Sequence, residues 1–382
     1  MKWNVKKISI IIYSLIFTLG IGFNSVTASA VEKKDISIQN FNRYVHNVNS
    51  MQIGKNEEDV IIRQLPAFLE LLEVDSNSSV SIGQGIICYN LDTREKVYYY
   101  PIYIDNECLL MAEKADSSNI AVSTDTRLYE QLHNIDFNDS VYLLNIYDGK
   151  LFIESQDEKV LLVDYTNYIS ISENSQKEFD TYNFQQKIDF IEKQFNCNLI
   201  ETTANKNIVS NLDIRRGSLY ALPAQKILDI SKAAVIQKYN NCWAAVSATV
   251  INHKNGSVGP VQRYTAEMIC DELGIAYNAG GTTYHMQRAL SNHGINYRVS
   301  SSKISFSTYM SNLNSDKPVI MGVFNASAGG HALVGYGYYT SNIYLDGDIY
   351  YYDPNGFFKS TQYGSTFNTS GYVFTWIETV YY

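Results

Sequence analysis

The stretch Ala234–Val250, AVIQKYNNCWAAVSATV, constrains this chain more than any other. Cys242 is followed by tryptophan, two alanines and a run of small and apolar residues at helical spacing, which predicts that it opens a buried helix. Asn240 or Asn241 can cap that helix, and the partial positive charge at a helix N-terminus favours thiolate over thiol. Such a cysteine is a candidate nucleophile. Two downstream segments offer it partners. His331 stands in GGHALVGYGYY, a glycine turn running into an alternating strand, and Asp353 in IYYYDPNG, at the end of a second aromatic strand.

Taken in order, QKYNNCWAA, PVIMGVFNASAGGHALVGYG and YYYDPNG resemble the motifs of papain-like cysteine peptidases, closest to compact bacterial secreted forms such as staphopains and bacteriocin-leader peptidases. The resemblance covers the C-terminal part of the chain. It implies a Cys242-His331-Asp353 triad, with Gln237 as oxyanion donor. Here Gln237 lies five residues before the cysteine, where papain-type enzymes usually have six. The fold implied is α+β: a helical half carrying the cysteine, an antiparallel sheet half carrying the histidine and the acid, and a cleft between them.

Amide acyl transfer needs a nucleophile, a proton shuttle, a group that orients the shuttle and donors for the oxyanion. Cys242, His331 and Asp353 meet the first three needs, and the Gln237 amide with the Cys242 backbone N–H meets the fourth. Each residue also has a purely structural reading. Cys242 suits a small-residue core helix, His331 a strand position with a satisfied hydrogen bond, and Asp353 the start of an Asp-Pro-Asn-Gly turn. Asn355 is a rival to Asp353, since papains use asparagine there. His253 lies at the far end of the cysteine's own helix, too distant for proton transfer.

The N-terminus reads as an export signal. Lys2, Lys6 and Lys7 precede an apolar run over Ile8–Phe23, and Ala28-Ser29-Ala30 has the small-x-small form of a cleavage site, so secretion with cleavage after Ala30 is expected. No stable membrane association is expected after that cut. Residues 231–382 carry nine Lys and Arg against eight Asp and Glu. The chain's net −9, less this +1 and the +3 of residues 1–30, leaves −13 on residues 31–230. That balance argues against a nucleic-acid partner and leaves a protein or peptide substrate. No cofactor and no metal is expected, because no His/Asp/Glu cluster has ligand spacing. Five cysteines leave at least one unpaired, as a catalytic thiol requires, and Cys88 and Cys108 either pair or pack as small hydrophobes. Oligomeric state is left open.

The organisation expected is a signal peptide over 1–30, an acidic and mostly β domain with flanking helices over 31–210, a linker over 211–231 and a peptidase domain over 232–382. Two short helices or one kinked helix are expected over Glu57–Leu72 with Pro66 inside, short strands from Ser79 to Val163 with a hairpin at Tyr147-Asp148-Gly149, and a helix over Glu178–Asn196. The linker, with Arg215-Arg216 and Lys226, invites proteolysis. The acidic domain then reads as a propeptide, released faster in acid if carboxylates make its contacts, or else as a permanent accessory domain. The function expected is a secreted cysteine endopeptidase made as a precursor. Alternatives are transglutamination or deamidation on the same triad, or a non-catalytic secreted binding protein.

Overall fold

The computed structural model describes residues 50–51, 53–75, 77–135, 142–166, 179, 181–197, 224–256, 263–342, 346–364 and 366–382. The export signal, Arg215-Arg216 and positions 211–223 of the expected linker lie outside them. The N-terminal module runs β1 (Ser50–Met51), α1 (Lys55–Leu71), β2 (Val80–Ile82), β3 (Gly85–Asn90), β4 (Glu95–Ile104), β5 (Glu107–Ala115), β6 (Ala121–Ser123), α2 (Arg127–His133), β7 (Leu143–Tyr147), β8 (Lys150–Glu154), β9 (Lys159–Asp164) and α3 (Phe184–Phe195). The C-terminal module opens with β10 (Ala224–Ile227), α4 (Cys242–Lys254), α5 (Ala266–Leu273), α6 (Thr283–Asn292), β11 (Arg298–Ser300) and α7 (Phe306–Asn314). It closes with β12 (Val319–Asn325), β13 (Gly329–Asn342), β14 (Asp346–Asp353), β15 (Phe357–Gln362), β16 (Thr366–Thr369) and β17 (Tyr372–Tyr381).

Local signals account for most of these boundaries. Asp148 and Gly149 both take positive φ, 51° and 66°, between the paired Tyr147 and Lys150, as a two-residue hairpin requires. The helix expected from Glu178 begins instead at Phe184, where Asn183 and Gln186 form a capping box. Thr265 caps α5 by accepting from the Met268 N–H, and Gly274 ends it in the left-handed region at φ 67°.

The two modules share one sheet. In the C-terminal module β12 pairs with both β17 and β13, then β13 with β14 and β14 with β15. The other edge of β15 pairs with β6, and the ladder continues through β5 and β4 to β3. Side chains reinforce this seam. Arg63 Nε and Nη2 donate to the buried Asp348 at 2.5 and 3.1 Å, Ser360 Oγ donates to Gln64 Oε1 at 2.7 Å, and Asn90 Nδ2 to the Gly371 carbonyl at 2.6 Å.

At the linker the structure differs from expectation. Residues 224–227 form β10, paired to Gly337–Thr340 of β13, and the Leu228 N–H donates to Tyr336 O at 2.8 Å. The C-terminal module therefore starts by 224, not 232, and Lys226 sits in a paired strand. The five residues between Pro223 and Asp229 are too few to show an alternating pattern. Tyr336, Tyr338, Tyr339, Tyr350, Tyr351 and Tyr352 are all buried, so the aromatic strands are core and not a binding surface.

Candidate active site

Helix α4 is buried on all sides from Trp243 to Asn252, as a helix without a polar face must be. Cys242, its first residue, is half-buried. Asn241 is the N-cap position, as expected, but its side chain makes no capping bond; its carbonyl accepts from the Ala244 and Ala245 N–H groups. The buried Asn252 holds the other end, donating to Tyr264 O at 3.0 Å and accepting from Tyr264 N at 2.9 Å.

Trp243 lines the cleft beside the cysteine and donates its Nε1–H to Ala279 O at 3.0 Å. The 278–282 loop passes so close that a Cβ on Gly281 would lie 2.3 Å from the indole, so only glycine fits.

His331 is the third residue of β13, opposite Val323. The preceding turn is held by Asn325, whose Oδ1 accepts from the Ser327 and Ala328 N–H groups at 2.7 and 2.9 Å. A register shift between β12 and β17 at Gly322/Val323 falls next to the histidine, where bulges commonly re-aim side chains.

Asp353 ends β14 and also opens the turn read from Asp-Pro-Asn-Gly, its carbonyl accepting from Gly356 N at 2.9 Å. Its carboxylate Oδ1 accepts from His331 Nε2 at 2.9 Å and from the Asn355 N–H at 3.0 Å, and Oδ2 accepts from the Thr369 hydroxyl. Because a carboxylate only accepts, Nε2 carries the proton and Nδ1 is left for the cysteine. The Asn355 side chain makes no hydrogen bond, so the contact to the ring is made by Asp353.

Burial opposes a charge on His331, yet the charge and hydrogen bond of Asp353, joined by those of Cys242, outweigh it and push the imidazole up to about 10. Burial would likewise raise the Asp353 carboxyl. His331, then Lys359 and Thr369, hold it well below the usual carboxylate range. Gln237 is buried, and its N–H donates to Pro354 O at 2.8 Å, tying its loop to the turn after Asp353.

Cys242, His331 and Gln237 open on one cleft of about 400 Å³, lined wholly by residues between Gln237 and Glu378, with Met286, Val323 and Ile377 among them. The structure thus gathers Cys242, His331, Asp353 and Gln237 at one place. Sequence reasoning passed over Thr369 and Lys359, which stand behind the carboxylate. Neither lies in a recognisable motif, and only the pairing of β14, β15 and β16 with their neighbours brings them there.

Residues 224–370 match the model of a family described as papain-like cysteine protease AvrRpt2. A search of curated proteins finds no match to the chain.

Proposed function

We propose that residues 224–370, which match the papain-like cysteine protease model, form a peptidase domain of that kind, and that the protein is a secreted cysteine endopeptidase, made as a precursor with an N-terminal pro-domain, acting through Cys242, His331 and Asp353. The observation that carries this reading is the buried His331 Nε2–Asp353 Oδ1 hydrogen bond of 2.9 Å, on a ring that lines the same open cleft as a helix-start cysteine.

Each group has a task. Cys242 sulfur attacks the scissile carbonyl as a thiolate paired with the His331 imidazolium. The oxyanion that forms is met by the Cys242 N–H and the Gln237 amide. His331 then protonates the leaving amine from Nδ1, and on deacylation the same nitrogen takes a proton from water, while Asp353 holds the ring in one tautomer. Activation is by the enzyme's own cut between 211 and 223, now that 224–227 is accounted for as strand.

Purified protein starting at Val31 tests this. The wild type should hydrolyse casein, react with a thiol-directed epoxide and convert to a smaller band, and Cys242→Ala should do none of these. Full activity in Cys242→Ala overturns the proposal. Amine incorporation without cleavage would assign a transferase instead.

A further inference from the structure

The charges behind Asp353 continue beyond the C-terminal module. Lys359, on β15, is 2% exposed; its Nζ donates to Thr369 Oγ1 at 2.9 Å and lies 3.7 Å from Asp353 Oδ2. Lysines are almost never buried so deeply without a counter-charge, and Asp353 is already shared with His331. The second carboxylate is Glu113, on β5 of the N-terminal module. It is buried, and Lys359 is the cation that draws its carboxyl down against burial. The sheet brings their strands near: β15 pairs with β6, Lys359 opposite Ser123, and on β5 Ser123 is opposite Met111, two residues before Glu113, whose own partner on β6 is Ala121.

The same module braces the histidine side. The Ser327 hydroxyl, in the turn before His331, donates to Asp92 O at 3.1 Å, and Tyr372 at the start of β17 donates to the Asp92 carboxylate at 2.6 Å.

We propose that Lys359 is a positioning residue for Asp353, that Glu113 is its counter-charge, and that the N-terminal module thereby completes the electrostatics of the catalytic centre. This rests on the reading of Asp353 as the group that orients His331. The run is then imidazolium, Asp353, Lys359, Glu113, alternating in sign from cleft to module interior. Asp353 favours the charged ring, Lys359 opposes it, and Glu113 offsets Lys359. Cys88, Tyr99, Asp125, Tyr165, Tyr351 and Tyr352 also face this run, and they are common to every variant compared. A module with this role stays docked after the chain is cut.

The test compares full-length wild type with Glu113→Gln, Lys359→Met and Asp353→Asn. Iodoacetamide inactivation and kcat/KM are followed from about pH 5 to about pH 11, with a melting curve for each protein. Glu113→Gln leaves Lys359 uncompensated and should move the alkaline limb down by about half a pH unit, and Lys359→Met should move it up by a similar amount, the scale of a charge one neighbour removed from the ring. KM should hold in both. Loss of packing alone lowers melting temperature without moving the limb in opposite directions. If Asp353→Asn shifts the limb and the other two leave it in place, or shift it the same way, the proposal is wrong while the reading of Asp353 stands. If Asp353→Asn leaves it in place, the reading of Asp353 itself fails. Should Lys359→Met not fold, the isosteric Glu113→Gln decides alone, an unmoved limb overturning the proposal.

Discussion

Asp353→Asn removes one charge and almost no volume. The amide oxygen can still accept from His331 Nε2 and from the Asn355 N–H, now at 2.9 and 3.0 Å, so the ring keeps its orientation. The amide nitrogen would face Lys359 Nζ, 3.7 Å from the present Oδ2, where a donor meets a donor. The loss is mainly electrostatic. A carboxylate touching an imidazole moves its pKa by about 1–3 units, or about 1.4–4 kcal/mol. The upper part of that range applies, because the two side chains are only 1% and 0% exposed and water screens them little.

The signs follow from the directions of the shifts. His331 is raised, so the stability it contributes is fully present below its unfolded value of about 6.5 and is lost as pH rises through about 10. Asp353 is depressed, so its contribution is present above about pH 4 and lost only as pH falls well below that. In the variant, burial acts on the ring with only Cys242 opposing it. The alkaline limb of kcat/KM should fall by about 2 pH units, so activity should drop by up to about a hundredfold at about pH 10 and above and change little near neutrality. The assay is the pH dependence of peptide hydrolysis and of iodoacetamide inactivation. A variant that melts like wild type and whose limb moves by only a few tenths of a pH unit would refute the reasoning.

Two further substitutions probe the scaffold. Gly281→Ala sets a Cβ 2.3 Å from the Trp243 indole, so it should cost about 1–3 kcal/mol in a urea melt, shift tryptophan emission and lower kcat/KM; unchanged values would mean that the loop can withdraw. Arg63→Met strips the bidentate partner from Asp348, which is 0% exposed and also accepts from Gln64 at 3.3 Å. It should cost about 2 kcal/mol, short of the about 3–5 kcal/mol for a fully buried pair because the Arg63 side chain is 33% exposed. A melt indistinguishable from wild type would show that the seam does not depend on this pair.

What was legible in the sequence is what neighbouring residues decide among themselves. Helix α4 announces itself because Trp243-Ala244-Ala245 follow a possible cap, and the β7–β8 hairpin because Asp148-Gly149 tolerate positive φ. Asp353 was legible twice, as turn and as partner of His331, and it serves as both. Strand β10 was not legible, since its pairing partner lies more than a hundred residues away on β13. Nor was the union of the two modules. A lysine in FFKSTQ reads as a solvent-facing strand residue, and only the arrival of β6 along the free edge of β15 encloses it.

The acidic character of residues 31–230 shows how a sum can mislead. A net −13 suggests that protonation loosens the N-terminal module. At Glu113, a buried carboxylate of the seam as Asp348 is, the sign is the reverse. Burial pushes this carboxyl up to about 7 against the opposing pull of Lys359, whereas in the unfolded chain it sits near 4.5. A folded value above the unfolded one means that ionising this group costs stability above about pH 4.5, and that the deficit shrinks as pH falls from about 7. Acid within that window therefore tightens the seam at Glu113 while weakening its hold on Lys359. Detachment of the module would have to come from carboxylates held below their usual range, and Glu57, drawn down by its hydrogen bond to Lys114, joins α1 to β5 inside the module and does not cross the seam.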